Sequence, residues 1–87
     1  MSATTETDEF GRFVRRILRA YKRRVAAQDI EGLAGLVALR ADLDDAIGEA
    51  VATLNGQGYS WAEIGRVLGQ TRQGAQQAHS RWLARAS

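Results

Sequence analysis

The sequence predicts an all-α fold: a long N-terminal helical hairpin followed by two short helices about a tight turn. Three observations predict it. Apolar residues recur at steps of three and four over most of the chain, and no stretch alternates apolar and polar residues for long. Proline is absent, so no ring interrupts a helix. The periodicity breaks at residues 55–58 and at 69, both glycine-bearing sites of the kind that stop helices.

Residues 1–9 are polar and carry Glu6, Asp8 and Glu9, which is unlike a secretory signal. Residues 1–7 are expected to be flexible. A first helix is predicted over 8–27. Its apolar stripe is Phe10, Phe13, Val14, Ile17, Leu18, Tyr21 and Val25. Arg12, Arg15, Arg16, Arg19, Lys22, Arg23 and Arg24 fill the other faces, with no acid among residues 10–28. Asp29 is a candidate N-cap for a second helix, in which Ile30, Leu33, Leu36, Val37, Leu43, Ile47, Val51 and Leu54 keep the period. Gly32, Gly35 and Gly48 weaken that helix by roughly 1 kcal/mol each relative to alanine. Gly32 and Gly35 imply an irregular start or a close helix crossing. Asn55-Gly56-Gln57-Gly58 ends the helix. Ser60 and Glu63 have the spacing of a capping box, each side chain accepting from the other's amide. They start a third helix over 61–68. Gly69 stops it, and Thr71 caps a fourth over 72–84.

A chain of 87 residues supports one domain with a modest core. The reading is therefore a single domain over 1–87, with the hairpin at 8–55 and a helix-turn-helix at 59–84. Cysteine is absent, which excludes disulfides and thiolate zinc sites. No apolar run approaches the length of a bilayer span. A cytoplasmic protein is expected. The net charge of +2 hides a strong segregation. Residues 29–58 carry six acids against Arg40 alone, whereas 59–87 carry Arg66, Arg72, Arg81 and Arg85 against Glu63. Basic stretches of this kind suit an anionic partner.

The chemistry of the last third lies in its spacing. Two helices that cross closely need a small residue on the first, and Gly65 fits. Ile64 and Leu68 form the core face of that helix. Gly69 suits a left-handed turn. Ala75 and Ala78 then face inward, with Trp61 and Trp82 as bulky fillers. The helical period turns Thr71, Arg72, Gln73, Gln76 and Gln77 outward, with Ser80 near them. Arginine bridges guanine O6 and N7, and glutamine pairs with adenine N6 and N7. Arg72, Gln73, Gln76 and Gln77 are the candidate base readers in a major groove. Ser60, Arg66, Thr71 and Arg81 are the candidate DNA-backbone contacts. The run from Ser60-Trp61-Ala62-Glu63-Ile64-Gly65 to Leu68-Gly69-Gln70-Thr71-Arg72-Gln73 resembles the terminal helix-turn-helix of small actinobacterial-type regulators. More distantly, it is similar to the promoter-reading region of sigma factors. The resemblance covers about the last third of the chain. It implies sequence-specific binding of double-stranded DNA, with transcriptional consequences and a place at the nucleoid. Three positions depart from the pattern. Gln70 stands where an apolar residue is common, Gly74 follows the first turn of the reading helix, and Ala78 is smaller than usual.

Other features carry less. The acidic cluster Asp42, Asp44, Asp45 and Glu49 reads as a solvated face, because consecutive helical carboxylates diverge and make a poor metal site. His79 has no nucleophile on its own helical face. No phosphate-cradling glycine loop followed by lysine occurs. No enzyme activity, cofactor or metal is therefore expected. The basic helix one reads as a core helix with a solvated face and auxiliary phosphate contacts, rather than a membrane-surface helix. The spare apolar surface of helices one and two points to a homodimer. The alternative is an adaptor or antitoxin-like module that binds a protein partner through those two helices.

Overall fold

The computed structural model describes residues 3–86. They form four helices, α1 (Ala3–Ala26), α2 (Gly32–Gly56), α3 (Trp61–Leu68) and α4 (Arg72–Ala86). No strand occurs among the described residues. A long helical pair is thus followed by two shorter helices. α1 begins at Ala3 and not near Asp8, so the flexible segment expected over 1–7 is helical from residue 3, and Met1 and Ser2 lie outside the described residues. No glycine or proline interrupts residues 3–10, and Glu6 sits in the first turn, where a carboxylate complements the helix dipole. Arg23 and Arg24 complement the other end. α4 likewise runs on past Ala84 to Ala86.

The helix ends follow local chemistry. After α1, Gln28 takes a left-handed backbone with φ 71°. The Asp29 carboxylate then accepts from the Gly32 amide at 3.0 Å, so the expected cap is present but α2 starts only at Gly32. At the end of α2, the Tyr59 amide donates to the Leu54 carbonyl and the Gly58 amide to that of Asn55, both at 3.1 Å. Gly58, at φ 108°, supplies the positive dihedral that this Schellman arrangement requires.

The chain divides into two compact units within α2, one ending at Arg40 and the other beginning at Ala41. Residues 55–58, expected from sequence to end the second helix, do so within the second unit. In the first unit Tyr21 lies over Gly35, and Val25 lies against Gly32, where an added Cβ would stand 3.3 Å from its Cγ2. Gly35 is the seat of a close approach by Tyr21, whereas a Cβ at Gly32 would first meet the Asp29 carboxylate at 2.7 Å; the turn over 27–31 gives α2 the irregular start that was the other expected outcome. Among residues 6–40 none is buried; Tyr21, Val25 and Leu36 are half-buried. The second unit has a core of Val51, Ile64 and Ala75, with Gly48 and Gly65 buried beside them. Burying a valine or isoleucine contributes about 1.5–3 kcal/mol.

Candidate functional site

The site expected from sequence lies in the second unit, on α3, α4 and the turn between them. Ser60 caps α3 in an extended conformation. Its hydroxyl accepts from the Glu63 amide, and the Glu63 carboxylate accepts from the Ser60 amide, both at 3.1 Å. The amide of Ser60 is the main reason that the Glu63 carboxyl is held below its ordinary pKa, the Ser60 hydroxyl adds to this, and the Arg66 charge contributes less. At the other end of α3, the Gln70 amide donates to the Gly65 carbonyl at 2.7 Å, while Gly69 is left-handed at φ 69°. This second Schellman turn releases the chain into α4. Thr71 then caps α4: its hydroxyl accepts from the Gly74 amide at 2.9 Å.

Gly65 explains how close these helices come. A Cβ there would stand 2.8 Å from the Gln70 carbonyl oxygen and 2.9 Å from that of Thr71. The small residue is thus required by the backbone of the turn more than by the facing helix. Ala75, 2% exposed, packs from the α4 side. Gly74 has a local reason as well, since a Cβ there would come within 3.0 Å of the Thr71 hydroxyl that caps the helix.

The inward flank of α4 continues as an aromatic stack. The His79 ring lies between Trp61, at a centroid distance of 5.4 Å, and Trp82, at 5.5 Å. Its Nδ1 is buried and has no hydrogen-bond partner among the described residues. His79 is therefore a packing residue. Trp82 seats its ring on Gly48, where any Cβ would overlap it. The indole Nε1–H donates to the Asp45 carboxylate at 3.0 Å. Sequence reasoning missed this pair, because Asp45 was read with the solvated cluster and Gly48 only as a weak point of α2. A tryptophan and a lone glycine at mid-helix were the available signals. A shallow cleft of about 300 Å³ beside the stack is bordered by Ile47, Gly48, Ala78, Trp82 and Gln70. Gln70 and Ala78, two departures from the expected pattern, both border it.

The outward flank of α4 carries the candidate readers. Arg72, Gln73, Gln76 and Gln77 are all exposed. Gln73, Gln76 and Gln77 line one shallow groove together with Ser80 and Arg81. Arg72 stands one helical turn before Gln76 at the start of the helix. The backbone set is less unified. The Ser60 and Thr71 oxygens already serve as caps, and Arg66 borders a separate apolar groove with Tyr59, Ile64 and Val67. No family model, curated protein or solved structure matches the chain. The residues themselves are therefore the ground for a functional reading. Among the described residues no group of three or more His, Asp or Glu could hold a metal ion, and no helix is long and apolar enough to cross a membrane.

Proposed function

We propose that this chain is a non-enzymatic, sequence-specific binder of double-stranded DNA, acting in transcriptional regulation at the nucleoid. α3, the Gly69 turn and α4 act as a helix-turn-helix, and α4 enters the major groove by its first turns. One observation carries the reading. α4 commits one flank to the core through Ala75 and Trp82 and leaves the other free, and the free flank bears Arg72, Gln73, Gln76 and Gln77 without an acid. Guanidinium and amide groups are the ones that discriminate bases in that groove. Arg81, on the same groove as the glutamines, contacts phosphate. The cations of α1 add contacts that do not depend on sequence.

Selection of bound duplexes from a random pool tests this directly. A defined motif is expected. Arg72→Ala and Gln76→Ala relax the preference at single positions, each lost contact costing about 1–3 kcal/mol. Arg16→Ala and Arg23→Ala lower affinity evenly and flatten its salt dependence. Equal losses on all sequences for all four variants would contradict base reading by α4. The second reading, an adaptor or antitoxin-like module for a protein partner, draws on the exposed apolar stripe of α1. A stable monomer without DNA affinity at low salt favours it.

A further inference from the structure

The first unit has two helices and no buried residue among residues 6–40. Its large side chains lie open: Phe10 is 73% exposed and Ile17 53%, and Phe13, Val14 and Leu18 on the same stripe are exposed too. α2 continues the pattern with Leu33, Val37, Leu43 and Ile47, all exposed and close to one helical face by their spacing. Each of these side chains offers on the order of 100 Å² to a partner, about half of what a large side chain buries in full. Together they amount to nearly 1,000 Å² per copy by order of magnitude. Specific interfaces take roughly 800 Å² from each partner.

We infer that a second copy of this chain covers these faces, with α1 of each copy lying along α2 of the other. Three features favour a second copy as the occupant. The helices match in length, at 24 and 25 residues. Both carry an apolar stripe, so a two-fold axis buries both kinds of stripe twice. Their charges are also opposite. From Arg12 onward α1 bears seven cations, behind Glu6, Asp8 and Glu9 in its first turns, and α2 bears the exposed carboxylates Asp42, Asp44 and Glu49, with Asp45 taken by Trp82. Pairing α1 with the partner's α2 sets the cations of residues 12–24 beside acidic flanks, whereas a parallel α1–α1 pair opposes those cations to one another. An anionic lipid surface would suit the cations of α1 alone and leave the α2 stripe uncovered. The inference stands apart from DNA reading: a dimer without DNA affinity sinks that proposal and leaves this one intact.

Sedimentation equilibrium of the full chain over a range of concentrations tests the interface. The expected mass is that of a dimer. Phe13→Ala combined with Ile17→Ala raises the dissociation constant at least tenfold, because symmetry counts each substitution twice. Val67→Ala, at a 74% exposed position on α3, leaves it unchanged. A second measurement does not depend on apolar truncation. A chain with Arg15→Glu and Lys22→Glu, and another with Asp42→Lys and Glu49→Lys, each associate weakly alone and recover a dimer when mixed. A wild-type chain that is monomeric throughout overturns the inference, as does monomeric protein that pellets with phosphatidylserine vesicles. A dimer indifferent to the stripe variants, or charge-swapped chains that fail to recover on mixing, overturns it equally.

Discussion

Up to Arg40 the chain carries large apolar residues and buries none of the described ones; from Ala41 onward it buries mostly small ones. α1 has the clearer amphipathic pattern, seven apolar residues against seven cations, yet its stripe is open. α4 has a weak pattern, and yet it closes a core through Ala75 and Trp82. The difference lies in what each helix meets. In the second unit Gly48 and Gly65 let an indole and a carbonyl-lined turn come within contact. Periodicity states which face seeks cover; Gly48 and Gly65 admit that cover in the second unit, whereas Gly32 and Gly35 in the first admit only single side chains and leave the stripe open.

The sharpest way to break this contrast is to remove one isoleucine from each region. Ile64→Ala, at 7% exposure, is expected to cost about 2–5 kcal/mol, independent of protein concentration. If the inferred dimer forms, Ile17→Ala acts through association and its shift in unfolding midpoint is expected to depend on concentration. Both tryptophans, Trp61 and Trp82, lie in the second unit, so fluorescence reports that unit while circular dichroism reports every helix. Equal, concentration-independent losses in both variants would erase the distinction. A smaller effect is expected at the turn. Gly65→Ala drives a methyl into two carbonyl oxygens that cannot rotate away, at a cost of about 1–3 kcal/mol, read as a lower denaturation midpoint by fluorescence. The smallest effect concerns pH. The folded chain holds Glu63 below its ordinary pKa. That stabilisation is complete above the unfolded carboxyl value and is lost as pH falls through the lower folded one. Glu63→Gln keeps an acceptor for the Ser60 amide but not the charge. The stability gap between wild type and this variant is expected to close in acid and to be constant near neutrality.

Much of the second unit was legible in the sequence because its determinants are local. The Ser60–Glu63 box, the left-handed Gly69 and the Thr71 cap each depend on residues three or four apart, and the bounds of α3 follow from them. The outward set on α4 followed from helical period alone. The long-range partners were not legible. Nothing in the periodicity of α2 marks Gly48 as the seat of Trp82, or separates Asp45, which holds the indole, from its acidic neighbours, because that choice is made 37 positions away. The half-buried His79 ring meets two indoles, an outcome that depends on the crossing of α3 and α4 and not on helical period. The first unit was harder for a related reason. Its pattern announces a buried face, and the structure leaves that face exposed.

The free flank of α4 has one more consequence. Gln73, Gln76 and Gln77 support no neighbour in the fold, and exchanges at such surface positions usually stay within about 0.5 kcal/mol. Caps, turn and aromatic stack all lie elsewhere. Randomising those three positions therefore leaves a stable chassis, and, under the proposed base-reading role, variants with new preferences would be reached by single steps without passing through unfolded ancestors.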